Sequence, residues 1–317
     1  MKAVFYELPT EFLEKLKKIY PQSFPKICET FLRKKEQTFR INYLKTDLAH
    51  LKEDLDREGI RYRELHWPKG SFILRSENKD LQRSSVYIDG KIYMQNVSSM
   101  IPPMILEPKK GERILDLCAA PGAKTSQIAS IAGSDIELVA VEKLEIRHQK
   151  LLATLRIQGL RDFVRVLLAD GTGIRKEYAP GYFDKVLVDA PCSGEALFYM
   201  RDPKTFRPWA QKRVKALSHA QKDLLYSGIS ALRAGGVLVY STCTFSPEEN
   251  EEVVDWALNK FEDLHLAPMD LPVQNKVRGL TSWEGKTFSK DLSLTLRILP
   301  NEYMEGFYLA KIKRGTK

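Results

Sequence analysis

Cysteine is scarce in this 317-residue chain: Cys28, Cys118, Cys192 and Cys243 lie far apart, with no C-x-x-C pair. That argues against a disulfide framework and suits a reducing cytosol, the default location. It also lacks the paired spacing of structural zinc sites, so no metal is expected. Long apolar runs are missing too. No stretch approaches the roughly 20 residues that cross a bilayer. The opening "MKAVFYELPTEFLEKLKK" meets acidic residues before a signal-like apolar core can form, so neither membrane insertion nor secretion is expected. Internal repeats and low-complexity tracts are absent, and a monomer is the default expectation.

Apolar residues are plentiful enough for a sizeable core, and the length suits two domains or one elaborated domain. The net charge of +9 is unevenly placed. Residues 1–108 carry 19 basic and 15 acidic residues, residues 109–271 carry 22 of each, and residues 272–317 carry 9 and 4. A neutral middle with basic flanks suggests a catalytic body whose ends grip a polyanion; solvated surface charge explains the same numbers.

Residues 8–36 read as helical, broken at Pro21 and Pro25. A strand at 38–44, a helix at 45–59 ending on Gly59, and strands at 61–66, 71–74 and 85–88 then predict a small α+β module. It is ferredoxin-like or related to the RNA-recognition fold. The aromatic pair that stacks bases on such a sheet is not evident. From residue 109 the pattern changes. Near-continuous apolar runs at 113–119, 137–142, 164–170, 185–191 and 236–242 read as buried parallel strands. Helices are expected near 124–132, 144–158, 211–233 and 247–260. The fold class is therefore α/β: a Rossmann-like, doubly wound, mostly parallel sheet over 109–317, preceded by the α+β module over 1–108. "TLRILP" and "GFYLAKIK" are expected to form an antiparallel hairpin on one sheet edge.

Ligands of such a sheet bind beyond the carboxyl ends of its strands. Cys118, Glu142, Asp170, Asp189 with Cys192, and Cys243 all fall there, so five segments aim polar or reactive groups at one crevice. In "LDLCAAPGAKT", small residues at Ala119, Ala120, Gly122 and Ala123 permit close backbone approach to a ligand, and a helix N-terminus follows. The phosphate loop of nucleotide triphosphatases would need glycine at 118 and 123, where the chain has cysteine and alanine. Glu142 suits ribose hydroxyls or a helix dipole, and Asp170 suits an adenine amino group or a turn cap. Together they point to an adenosine-containing cofactor. Cys118 reads as packing and Cys28 as structural. Cys192 and Cys243 end separate strands and read as a reactive pair.

Residues 198–215 interleave Phe198, Tyr199, Phe206 and Trp209 with six basic residues. That is a grip for single-stranded nucleic acid, or an amphipathic segment packed on the domain. "SPEENEEVV" reads as a helix start, with Ser246 as N-cap, Pro247 at the first position and Glu249 closing a capping box.

"LDLCAAPGAKT", "VDAPCSG" and "YSTCTFSPEENE", with "TFRINYLK", "MQNVSSM" and "EGFYLAKIKR" as weaker pieces, resemble the RNA cytosine-5 methyltransferases of the RsmB/NOP/Sun family. Ala123 replaces a common second glycine, and Glu142 a common aspartate. The resemblance implies a class I methyltransferase that uses S-adenosylmethionine on tRNA or rRNA. It places residues 118–124 (Cys118, Ala119, Ala120, Pro121, Gly122, Ala123 and Lys124), Glu142, Asp170 and Asp189 around the cofactor. It assigns attack on carbon 6 of cytosine to Cys243 and product release to Cys192, with Asp189 holding the cytosine edge and Lys124 supporting the site. Proline-cysteine is the nucleophile dipeptide of DNA cytosine-5 methyltransferases, so a DNA enzyme using Cys192 is one alternative. A non-catalytic RNA-binding assembly factor is another.

Overall fold

The computed structural model describes residues 6–316. Two helices, α1 (Thr10–Ile19) and α2 (Phe24–Thr30), lead the chain. Next come β1 (Thr38–Ile41), α3 (Leu48–Arg57), β2 (Tyr62–Glu64), β3 (Ser71–Leu74), α4 (Asn78–Arg83), α5 (Ser85–Ile88) and β4 (Ile92–Met94). The four strands pair antiparallel in the order β2-β3-β1-β4. This is the ferredoxin-like arrangement the pattern predicts. Its own core joins Phe39, Ile41, Leu51, Leu55, Phe72 and Leu81.

One expected strand is a helix. Residues 85–88 form α5 because the Glu58 carboxylate, just past α3, accepts from both the Ser85 backbone N–H at 2.9 Å and its hydroxyl at 2.6 Å. The fourth strand starts only after the left-handed turn at Gly90 (φ 68°).

The large sheet follows α6 (Val97–Leu106). Its elements are β5 (Arg113–Asp116), α7 (Ala123–Ala132), β6 (Glu137–Glu142), α8 (Glu145–Ile157), β7 (Val164–Leu168), β8 (Phe183–Asp189), α9 (Gln211–Ala231), β9 (Leu232–Thr242) and α10 (Glu251–Lys260). β10 (Leu264–Leu266), β11 (Lys276–Arg278), the hairpin β12 (Ser282–Trp283) and β13 (Lys286–Thr287), β14 (Leu296–Ile298) and β15 (Phe307–Arg314) complete the chain. Five parallel strands lie in the order β7-β6-β5-β8-β9. β15 then runs antiparallel beside β9, and β14 pairs antiparallel with β15. The strand order reverses between β5 and β8, the switch point where ligands of doubly wound sheets bind.

Apolar clusters cover both faces of this sheet. Phe12, Leu16, Ile19, Ile27 and Phe31 of the leading helices belong to one of them, among residues of β8, α9 and β15. The small module is seated on α7. Arg40 is buried, donating to the Ala123 carbonyl at 2.9 Å and Ser126 Oγ at 2.8 Å, while Gln95 donates to Gln127 at 2.9 Å. The polar face of β1 is thus covered by α7, and burial pulls the Arg40 pKa down to about 9.

Candidate active site

The loop after β5 and the start of α7 form one wall of a cleft of about 260 Å³. Cys118, Ala119, Ala120, Pro121, Ala123, Lys124 and Asp189 line it, faced by Tyr93, Gln95, Asn96, Ser99 and Glu305. Gly122 sits behind the wall as the N-cap of α7 at φ 107°; a Cβ there would fall 2.9 Å from Thr154 and 3.1 Å from Leu151. Its left-handed backbone and the close approach of α8 both call for glycine.

At the centre, Lys124 Nζ meets Asp189 Oδ2 at 2.6 Å and donates to Ser99 Oγ at 2.8 Å. Burial alone would lower the Lys124 pKa, but the charge and hydrogen bond of Asp189 outweigh it and hold the ammonium above its ordinary value. The second Asp189 oxygen accepts from Ser241 Oγ at 2.7 Å. Beneath, Asp116 is buried and accepts from Thr125 Oγ1 at 2.7 Å, with burial raising its pKa to about 6. Burial also pushes the Cys118 thiol well above its ordinary value, aided by the charges of Asp116 and Asp189. An inert cysteine is what such surroundings make.

The turns after β8 and β9 bring Cys192 Sγ and Cys243 Sγ to 3.3 Å. Both cysteines are free and half-buried. The hydrogen bond with Cys243, then burial, raise the Cys192 pKa well above its ordinary value, so Cys192 keeps its proton. Two buried acids that the sequence reading did not assign to the site hold these turns. Glu249 accepts from Ser193 N at 2.9 Å, from Gln221 at 2.8 Å and from the Ser193 hydroxyl. Glu195 accepts from Trp209 Nε1 and Ser246 Oγ with one oxygen, and from Thr244 Oγ1, Phe245 N and Ser246 N with the other.

The expected capping box is therefore absent. α10 begins at Glu251, and both Ser246 and Glu249 turn away from its end to brace the cysteine turns. Burial, then the charge of Glu195, lift the Glu249 pKa to about 7.

Glu142 ends β6 and Asp170 lies just past β7, but neither they nor Cys192 and Cys243 are among the cleft's lining residues. Glu142 is buried, accepts from Leu144 N at 2.9 Å and lies 3.5 Å from Arg147, which donates to the Ala120 carbonyl. Asp170 caps a short 3₁₀ turn through Thr172 and pairs with Lys143 at 2.6 Å. In the 198–215 segment, Phe198, Phe206 and Trp209 are buried in the core, so the packing reading holds for them. Its Arg and Lys residues face outward. Among the described residues no group of three or more His, Cys, Asp or Glu is placed to hold a metal.

The strand order, the small-residue loop at the switch point and the cleft beside it define a class I methyltransferase. A model of the 16S rRNA methyltransferase RsmB/F family matches residues 103–313, and one for the N-terminal domain of RsmF matches residues 8–97. The tRNA (cytosine(49)-C(5))-methyltransferase of Pyrococcus abyssi is 37% identical over 279 residues, 87% of this chain and 88% of its own length. The mouse 28S rRNA (cytosine-C(5))-methyltransferase is 34% identical over 98% of this chain, which spans 39% of that relative. A methyltransferase homolog from Pyrococcus horikoshii superimposes with a TM-score of 0.85 at 31% identity, covering 96% of this chain and 95% of that one. NSun6 from the same organism, solved with SFG, shares the fold at a TM-score of 0.81 and 22% identity, covering 98% of each chain. The chain belongs to the RsmB/F methyltransferase family.

Proposed function

We propose that the chain transfers a methyl group from S-adenosylmethionine to carbon 5 of a cytosine in tRNA or rRNA, with Cys243 as the attacking group. One observation carries this reading: two sulfurs at hydrogen-bond distance, on turns beyond adjacent strands. Cys192 holds its proton and faces Cys243, which suits a proton donor better than a nucleophile. Cys243 is within electrostatic reach of the Lys124 ammonium, and so of the Lys124–Asp189 pair.

The cleft residues fit S-adenosylmethionine, which when bound supplies an electrophilic methyl group. Small side chains at 118–123 admit close approach, and the N-terminus of α7 suits a carboxylate. Glu142 and Asp170 would serve from the outer border of the site. Carbon 5 of cytosine is a poor nucleophile until a thiolate adds to carbon 6. Cys243 makes that bond. After methylation a base takes the carbon 5 proton, the sulfur leaves, and Cys192 assists release.

The target base must leave its stack to enter the cleft. We take residues 1–108 as the RNA-positioning part and 109–317 as the catalytic domain. Lys26, Arg33, Lys34 and Lys35, with Glu29, Glu36 and residues 300–303, line a broad groove. Such a surface suits a phosphate backbone.

The test is a search for denaturation-resistant RNA–protein adducts with wild type, Cys192→Ala and Cys243→Ala. Adducts that accumulate with Cys192→Ala and vanish with Cys243→Ala are expected. The reverse pattern would make Cys192 the nucleophile. RNA binding without methyl transfer by the wild type would favour an assembly factor, and transfer to DNA alone a DNA enzyme.

A further inference from the structure

The cleft contains a second acid that the assignments above leave idle. Glu305 stands just before β15 in a loop pinned by the N-terminus of α6. Its backbone N–H donates to Asn96 Oδ1 at 3.2 Å, its carbonyl accepts from Ser98 Oγ at 2.7 Å, and Asn96 also donates to the Tyr303 carbonyl at 3.2 Å. The loop therefore fixes where the side chain starts, and that side chain lines the same cleft as Lys124 and Asp189.

The two acids differ in their engagements. Both Asp189 oxygens are taken, one by Lys124 and one by Ser241. Among the described residues the Glu305 carboxyl has no hydrogen-bond or ion-pair partner; only the more distant charges of Lys35 and Lys124 act on it. A half-buried carboxyl with no protein partner, held by an ordered backbone and facing the cleft, is open to contact with a ligand atom. Burial lifts its pKa to about 7, so much of it stays protonated at neutral pH and can act as a donor.

Resting on the cytosine-methylation reading, we propose that Glu305 is a catalytic acid whose carboxyl contacts ring nitrogen 3 of the extruded cytosine. As the Cys243 sulfur bonds to carbon 6, the π pair of the carbon 5–carbon 6 double bond shifts toward carbon 4. The carbon 4–nitrogen 3 pair moves onto nitrogen 3 and takes the Glu305 proton. After methylation the carbon 5 proton passes to solvent water, its bonding pair re-forms the carbon 5–carbon 6 double bond, the carbon–sulfur pair leaves on the Cys243 sulfur, and nitrogen 3 returns its proton to Glu305. No further reactant is consumed. Asp189, anchored by Lys124, would hold the neighbouring amino group.

The test measures methyl transfer from labelled S-adenosylmethionine to unmodified tRNA and rRNA transcripts by wild type, Glu305→Ala and Glu305→Gln. Alongside, it measures the KM for RNA, direct binding of S-adenosylmethionine, and thermal stability. The expected result is a roughly 100-fold fall in kcat for Glu305→Ala. Glu305→Gln, which still donates a hydrogen bond, should recover part of it. RNA KM and S-adenosylmethionine affinity should stay within about twofold. A Glu305→Ala rate within about threefold of wild type overturns the proposal. So does a loss of S-adenosylmethionine affinity matching the loss of rate, which would place Glu305 on the cofactor. If wild type labels no RNA, the cytosine-methylation reading itself fails.

Discussion

Glu249 shows what one buried carboxyl costs and what it holds. Its pKa of about 7 lies above the ordinary 4.5, so the folded chain binds a proton there more tightly than the unfolded chain does. The stability from that proton is present at pH 4.5 and below and is lost as pH rises toward 7 and beyond. The loss reaches roughly 3 kcal/mol for a shift of this size. Glu249→Gln removes the titration while keeping an acceptor for Ser193 N. Urea unfolding at pH 5 and pH 8 should therefore show a smaller drop for the variant than for wild type. An equal drop would mean that Glu249 is not the titrating group. Asp116 and Glu305 titrate in the same direction, so only the difference between the two proteins isolates Glu249. At Gly122 the prediction is steric. Gly122→Ala places a Cβ against Thr154 at a left-handed φ and should destabilise by roughly 1–3 kcal/mol. A weaker S-adenosylmethionine affinity, read by calorimetry, should accompany it.

Among the elements, α10 and β14 act as a clamp on the Cys243 turn. Arg297 of β14 is buried, donates to Glu251 of α10 with two nitrogens, and reaches the Phe245 carbonyl and the Tyr20 hydroxyl, each at 2.8 Å. The Glu251 charge keeps its guanidinium firmly ionised despite burial. Glu251→Ala strands that charge and should cost roughly 3–5 kcal/mol, seen as a lower denaturant midpoint. Methyl transfer should fall with it, because the turn loses its brace.

The elements themselves were largely legible. All five parallel strands and four of their helices lie within a few residues of the expected spans, because apolar periodicity responds to a strong local signal. Residues 85–88 misled because "SVYI" has strand-like side chains, while the cap that makes it helical comes from Glu58, far away in sequence. "SPEEN" misled for a related reason: its cap residues were taken by the long-range partners Glu195, Ser193 and Gln221. In the site, the cysteines, Lys124 and Asp189 were legible as motif residues. The roles of Glu195, Glu249 and Glu305 were not, since each depends on a contact or a vacancy made by segments dozens of residues apart.

For the molecule as a whole, the basic surplus of +9 sets the terms of RNA binding. Association should weaken steeply with salt, log K falling by about 0.7 for each phosphate neutralised on a single strand. Replacing Arg33 and Lys34 by alanine should reduce that slope by roughly 1–2 in a filter-binding titration. An unchanged slope would move the phosphate contacts away from the groove beside α2. The two leading helices have a consequence of another kind. Lys15 of α1 bonds Ser246 and Glu248, and Tyr20 meets Arg297 across 277 positions of sequence. During synthesis at roughly 5–20 residues per second, Tyr20 waits about 14–55 seconds for that partner. Cys192 and Cys243 both emerge before Arg297, which reaches the Phe245 carbonyl beside the Cys243 turn. The growing polypeptide thus carries both cysteines before the contact that ties α1 to β14 can form.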